Sequence, residues 1–456
     1  MPQHYRVQQP ASWRDVLQGE RGRLTAGVLL VEFLVAVEAL VVVAIMPAVR
    51  RELGGLQYYG LVFTGFSLAA LVATPLGGRG ADRRGPAQPF VAFAALFIVG
   101  TALCATSRTM LALVVARIVQ GFGAGGAYTA ALAAVTRSYD DAGRARVLAL
   151  LAGAWIIPGL LGPSFGALLA STIGWRWAFI VILPLILIAL ALAVPGLRVL
   201  KPVHSSDQMS IRWPFLLAIG LTAIVVGLTF PSFLTTPLVL FGGLLGIRSL
   251  LAILPPGSIV ARAGMPAGIL TIFLLVYAFI GTEYFLPLVL TEIRGRSIAE
   301  AGIIVTLGTV SWSISNYWQP RAMIRFSIVS LTRLGIAILT LAIAGVSLLL
   351  TGAPLLISYA AWFLAGVGMG VAYPSAFLVI MRGAGTGREG SAVSAQQVSE
   401  RLALALGGAV GGGFIALTIV LQAPLTTGLA ATFGLTLVAA IAALALASRL
   451  RAGAAS

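Results

Sequence analysis

Six ionisable side chains lie inside long apolar stretches of this 456-residue chain: Glu32, Glu38, Arg117, Glu283, Glu400 and Arg401. A charge placed in hydrocarbon costs about 2.5–3.5 kcal/mol on insertion scales, so charged residues that persist there are the first candidates for function. A carboxyl moved out of water holds its proton more tightly and can exchange it near neutral pH. Glu38 and Glu283 are therefore candidates to carry a proton or to meet a charged ligand. The alternative for each is a protonated Glu hydrogen-bonded to a neighbouring helix. Glu32 precedes Glu38 by six residues, about 120° around a helix, so the two cannot both face one centre. It either meets incoming ligand or extends its head toward water. Arg117 shares a helix face with Gln120 and Gly121. A lone structural ion pair or carbonyl clamp is one reading of it. Glu400 and Arg401 point about 100° apart and need separate partners, in coupling or in packing. The aromatic and amide side chains Trp155, Tyr277, Tyr284, Trp312 and Asn316 could line a ligand cavity, since aromatic faces suit organic cations. Trp318, near a helix end, reads as an interfacial belt residue.

Other chemistries are excluded by what is missing. Cys104 is the only cysteine, and His4 and His204 both fall in polar segments, so no disulfide, metal site or His-based catalytic cluster is expected. The loops offer Asp140-Asp141 without a His partner, which argues against an enzyme. No cofactor is expected. The net charge of +16 comes from basic residues scattered singly between apolar runs, not gathered into a nucleic-acid patch.

The elements that must position these side chains follow from composition. Only 10% of residues are charged and 59% are hydrophobic, against about 25% charged in soluble domains. Apolar runs of about 20 residues match the bilayer core and must be helices, because lipid leaves no partner for free backbone groups. The runs predict fourteen helices, at 24–49, 58–77, 88–107, 109–136, 146–171, 177–197, 214–230, 233–250, 266–291, 298–319, 331–351, 355–381, 392–420 and 424–448. Pro231 and Pro237 interrupt the seventh and eighth. The first run lacks a cleavage site and reads as a retained helix. The segment from Ser12 to Arg23 is either a surface amphipathic helix or a solvated tail. With both termini on one face, 22 Lys/Arg fall on that face and six on the other, while Arg117 and Arg401 lie within helices. This asymmetry predicts both termini in the cytoplasm.

The chain also repeats itself at a single offset of 245 residues. Glu38 falls on Glu283 and Pro75 on Pro320. Gly121, Gly123, Gly125, Ala127 and Tyr128 fall on Gly366, Gly368, Gly370, Ala372 and Tyr373. Gly162 and Gly166 fall on Gly407 and Gly411. The reading is an N-terminal segment 1–23, a six-helix bundle 24–197, a linker with two extra helices 198–265, a second six-helix bundle 266–448 and a tail 449–456. Parallel halves of this kind place a substrate site near the midplane between them. An old duplication without present mechanical meaning is the alternative.

Four motifs then carry a resemblance. The stretch after helix 2 reads Gly78-Arg-Gly-Ala-Asp82-Arg83-Arg84-Gly85, similar to G-x-L-x-D-R-x-G-R-[KR], with Gly80 for the Leu and Pro86 and Ala87 for the last two basic residues. Helix 4 carries Arg117-x-x-Gln120-Gly121-x-Gly123. Helix 5 carries Gly162-Pro163-x-x-Gly166-Ala167, similar to G-x-x-x-G-P-x-x-G-G with Pro158 for the first Gly, followed by Gly174-Trp175-Arg176-Trp177-Ala178-Phe179. Helix 1, from Glu38 to Pro47, is similar to L-D-x-T-I-V-N-V-A-L-P with Glu38 in place of Asp. Together these resemble the major facilitator superfamily, and within it the drug:proton antiporters with fourteen transmembrane helices.

The resemblance implies an all-α polytopic membrane protein, two six-helix bundles plus two inserted helices, monomeric, in the cytoplasmic membrane and powered by a proton gradient. It implies that Arg117 faces the cavity and couples to proton movement. It also implies that Gly78, Asp82, Arg83 and Gly85 form a conformational latch, for which an ordinary turn is the alternative. Pro158, Gly162, Pro163 and Gly166 would form an antiporter motif whose bend blocks leak. Export of amphipathic or cationic organic compounds is the expected function. Transport of lipid or lipid-linked cargo is the alternative, and a membrane enzyme or a channel the distant ones.

Overall fold

The computed structural model describes residues 13–202, 211–384 and 389–450; His4, His204 and the tail from residue 451 lie outside them. Among the described residues, fourteen helices are long and apolar enough to cross a membrane. They are α1 Gly19–Leu53, α2 Leu56–Arg84, α3 Ala87–Thr106, α4 Met110–Ser138, α5 Arg146–Thr172, α6 Trp177–Arg198 and α7 Arg212–Thr229. The remainder are α8 Thr236–Ile253, α9 Met265–Ile293, α10 Ile298–Ala322, α11 Ile328–Thr351, α12 Leu355–Gly383, α13 Gly390–Val420 and α14 Leu425–Leu450. The even number puts the described ends of the chain on one face, called here the terminal face; the other is the distal face.

The expected helices form, including α7 and α8. Pro231 sits in the connection between them, and Pro237 sits in the first turn of α8, where its missing N–H breaks no helical bond. Two boundaries differ from the expectation. Helix α2 continues through Asp82 to Arg84, so Gly78–Arg84 is helical rather than a loop, because the first breaker is Gly85 at φ 79 followed by Pro86. A five-residue helix, Trp13–Leu17, precedes α1, which begins at Gly19.

Two helices are interrupted next to candidate residues. Pro158 has no N–H for the Ala154 carbonyl, and α5 breaks into a turn at Ala154–Trp155. Pro287 likewise cannot serve the Glu283 carbonyl, and α9 breaks at Tyr284–Phe285 before continuing as a short π-helical turn, Val289–Ile293.

Both halves use the same neighbour pairs. Helix α1 packs on α4, α5 and α6 as α9 packs on α12, α13 and α14; α4 packs on α2 and α3 as α12 packs on α10 and α11. The halves meet along two seams, α2 with α13 and α5 with α10. Small residues allow this close approach. A Cβ on Gly60 would collide with the Gly408 carbonyl, and one on Gly302 would stand 2.9 Å from the Pro163 carbonyl oxygen. The inserted pair α7–α8 closes on itself at Gly220 and Gly242. Leu217, Leu221 and Val225 of α7 then pack with Leu68 and Leu71 of α2 and Leu402 of α13.

Candidate functional site: two polar layers between the halves

The deeper layer is built on α1, α3 and α4. Arg117 extends from α4 and pairs with Oε1 of Glu38 on α1. It also donates to Gln120 Oε1 at 2.6 Å and, through Nε, to the Val62 carbonyl of α2 at 3.2 Å. Its guanidinium lies 4.2 Å from the Phe66 ring centroid. Gln120 donates to Thr101 Oγ1 at 3.0 Å, and Cys104 completes the network at 3.6 Å. Glu38 is 1% exposed and Arg117 3%, so the pair is cut off from water and each member depends on the other.

The second half keeps the acid and loses everything that served it. At the 245-residue offset Arg117 becomes Trp362, Gln120 Ala365, Thr101 Val346 and Cys104 Leu349, all buried and apolar. Trp362 stacks on Phe279, and Trp312 meets Phe279 edge-on. Glu283 stands one turn beyond Phe279. It is 2% exposed, and among the described residues it has neither hydrogen-bond nor ion-pair partner. Its neighbour Tyr284 stacks on Phe63 of α2 at 4.1 Å between centroids. Tyr284 thus belongs to the seam between halves rather than to an open cavity wall.

The second layer lies nearer the terminal face. Trp155, at the break in α5, donates from Nε1 to Glu32 Oε1 at 2.6 Å. Glu32 is 8% exposed and its Oε2 has no partner. In the other half Tyr373 of α12 donates to Glu400 Oε2 at 2.8 Å, and Gln396 donates to the same oxygen at 2.7 Å. Arg401 is half-buried and makes no hydrogen bond or ion pair among the described residues.

The other expected site residues scatter. Tyr277 is buried and stacks on Phe273; Trp312 is half-buried beside Tyr373; Asn316 is exposed, with no side-chain hydrogen bond among the described residues. Asp82 Oδ1 accepts from Arg137 at 2.6 Å, and Arg137 also donates to the Ala81 carbonyl at 3.1 Å, so these contacts of the Gly78–Gly85 stretch tie α2 to α4 within one half. Gly85 approaches the Leu200 carbonyl at the end of α6.

The helix-5 motif has a definite structural effect. Pro163 has no N–H for the Gly159 carbonyl, and that carbonyl accepts instead from Thr309 Oγ1 of α10 at 2.5 Å. Ser164 meets Thr306 at 2.7 Å one turn on. The bend thus supplies a hydrogen bond between halves. On α2, Thr64 donates to the Ala405 carbonyl of α13 at 2.9 Å. At the distal face Glu292 accepts from Arg50 at 2.8 Å and from Arg51 at 3.4 Å. These ties run from the middle of α5, α10 and α13 to the distal face.

Sequence reasoning missed Glu292, Glu52 and Gln396, and used Tyr128 and Tyr373 only as repeat markers. Glu52 pairs with Arg176 and accepts from Trp175 at 2.8 Å, anchoring the Gly174–Phe179 motif to the end of α1. Gln396 lies one turn before Glu400, a spacing that could have revealed it.

A family described as the Major Facilitator Superfamily matches residues 28–408, from α1 into α13. Efflux pump dotC of Dothistroma septosporum is 27% identical over 324 residues, 66% of this chain and 55% of that protein. Multidrug efflux pump SdrM of Staphylococcus aureus is 22% identical over 303 residues, 63% of this chain and 66% of that protein. Multidrug transporter protein MdtP of Bacillus subtilis is 24% identical over 375 residues, 78% of this chain and 68% of that protein. The chain spans little more than half of the first relative and about two thirds of the others. Among solved structures, an inward-facing, unoccupied bacterial homologue of the human lysosomal transporter Spinster matches with TM-score 0.66 at 17% identity, covering 95% of this chain and 98% of that one. A D-xylose-proton symporter matches with TM-score 0.67 at 15% identity, covering 94% and 97%. At these identities the likeness is one of fold. The match over α1 to α13, the repeated helix pairings and the fourteen apolar spans lead to one assignment: the chain belongs to the Major Facilitator Superfamily.

Proposed function

We propose that this protein is a secondary active transporter that exports amphipathic or cationic organic compounds in exchange for protons by alternating access. Glu283 carries this reading: a carboxyl buried between halves, with no partner, is a group that must gain and lose a proton as its surroundings change. The Glu38–Arg117 pair supplies the opposing element, a charge balance that protonation of Glu38 would disrupt. The Arg excess on the terminal face favours placing that face in the cytoplasm, and the distal ties favour an arrangement sealed on the outside. The efflux activities named for the relatives support organic cargo and export. Neither layer offers a nucleophile–base arrangement, which supports transport over catalysis.

The test is proton release driven by substrate in reconstituted vesicles. Wild type acidifies or alkalinises the lumen on substrate addition, and Glu283→Gln and Glu38→Gln abolish the signal. Undiminished proton-coupled export in both variants would overturn the assignment.

A further inference from the structure

The connection after the second helix of each half is built differently, although the two are related by the repeat. In the first half α2 runs on to Arg84, Ala81 is buried and Asp82 pairs with Arg137. In the second half α10 stops at Ala322, and residues 323–327 turn tightly into α11. The turn is well held. The Ala322 carbonyl accepts from the backbone N–H groups of Arg325 at 3.0 Å and Phe326 at 2.9 Å, and Ser327 caps α11 by accepting from the Ser330 N–H at 3.1 Å. Met323 packs inward with Ala322, Leu331 and Val371. Ile324 and Phe326 are 85% and 55% exposed, at the positions that Arg79 and Ala81 hold in the first half. Two large apolar side chains held outward by a fixed turn are unfavourable in water, and such a patch marks a contact surface.

The surrounding charges identify the occupant. From Ala301 to Arg388 the chain contains no Asp or Glu. Arg321, Arg325 and Arg333 are exposed around the turn. Arg321 donates to the Tyr317 carbonyl at 3.0 Å and to its hydroxyl at 3.1 Å, whereas the guanidinium groups of Arg325 and Arg333 make no hydrogen bond or ion pair among the described residues. Arg333 is the sixth residue of α11, about 7–8 Å from its start, opposite the buried Leu331, Gly335 and Leu339. Leu334 and Leu341 on its flank are exposed, so this side of α11 is apolar toward lipid. Tyr317 and Trp318, exposed in the last turns of α10, stand where an interfacial belt would lie. We propose that the α10–α11 turn anchors the second half to the membrane surface. Ile324 and Phe326 enter the headgroup region, and Arg325 and Arg333 bind the phosphates of anionic phospholipids, which supply the counter-charge that this stretch of chain lacks. The first half closes the same position on itself through Asp82 and Arg137. Helix α10 also carries Thr306 and Thr309 of the α5 seam, so lipid held here acts on a helix that joins the halves. The inference is independent of cargo and of proton coupling.

The experiment uses the full chain in nanodiscs of phosphatidylglycerol, phosphatidylcholine or mixtures of the two. Ile324→Cys carries an environment-sensitive NBD label, and Cys104 is buried and does not react. In phosphatidylglycerol the label's emission should shift to the blue and be quenched by spin-labelled acyl chains. In phosphatidylcholine it should remain that of a label in water. Arg325→Gln and Arg333→Gln should each raise several-fold the phosphatidylglycerol fraction needed for half of the shift. Arg198→Gln removes the same charge from the same face at the end of α6 and should leave that fraction unchanged. Unchanged emission in phosphatidylcholine for all variants shows that the turn itself is intact. Equal emission of the unsubstituted labelled protein in the two lipids, or an equal effect of Arg198→Gln, would overturn the proposal. So would a blue shift without lipid quenching, which would mean that protein covers the turn.

Discussion

Glu38 and Arg117, 79 residues apart on α1 and α4, form a buried ion pair whose repeat-related positions hold Glu283 and Trp362. One half thus carries a compensated charge, the other an acid among aromatic rings. The two acids are equivalent by symmetry and unequal by surroundings, and this difference governs the first two expectations.

Arg117→Gln leaves Glu38 without its partner. Breaking a buried pair costs about 3–5 kcal/mol, whereas neutralising both members costs far less. Thermal unfolding in detergent should show a large loss for Arg117→Gln, and Glu38→Gln with Arg117→Gln should recover at least half of it. Additive losses would show that the two residues act separately.

Glu283→Gln removes no hydrogen bond made among the described residues and keeps the side-chain shape. Its unfolding temperature should equal or exceed that of wild type, while substrate-driven proton movement is lost. A variant that is both destabilised and still coupled would contradict this.

The Arg50–Glu292 contact crosses the distal face with both side chains partly exposed, so its loss should change stability by less than about 1 kcal/mol. Its effect should be conformational. A cysteine introduced at Phe63, buried in the distal seam, should react several-fold faster with an impermeant maleimide when Glu292→Gln is added. Cys104 is buried and stays silent. Equal rates would mean that the contact does not hold the face closed.

Thr309→Val strands the Gly159 carbonyl, which Pro163 has already denied its helical donor. The loss should be about 1–3 kcal/mol. Pro163→Ala restores an N–H to that carbonyl, so Thr309→Val should cost less in that background. A double-mutant cycle on unfolding temperature measures the coupling, and a value of zero would detach the proline from the seam.

Much of this architecture was readable because membranes simplify folding. Apolar length alone located α7 and α8 despite two prolines, and rarity of charge located Glu32, Glu38, Arg117, Glu283, Glu400 and Arg401. Pairing was not readable. Nothing in the sequence links Glu32 to Trp155 over 123 residues, or Thr309 to Gly159 over 150. Such contacts arise from tertiary packing of helices whose faces are all apolar, where helical periodicity gives no preferred side. The end of α2 was misplaced because the apolar run stops at Gly77, whereas the helix continues through the charged stretch to Arg84, with Gly78 and Gly80 beside Thr129 and Pro89. Glu52 and Glu292 escaped notice because charges at helix ends are ordinary there.

The inserted pair α7–α8 leans on only one of the two seams, that of α2 with α13. Leu217, Leu221 and Val225 roof it with protein. The seam of α5 with α10 has no such roof, and Leu160, Leu161, Ile303 and Ile314 stand exposed along it. Acyl chains can therefore reach the junction of the bundles from one flank only. A twofold machine has been given a handedness in the plane of the bilayer. The flank left open to lipid is the closed seam of α5 with α10, next to the exposed Trp155.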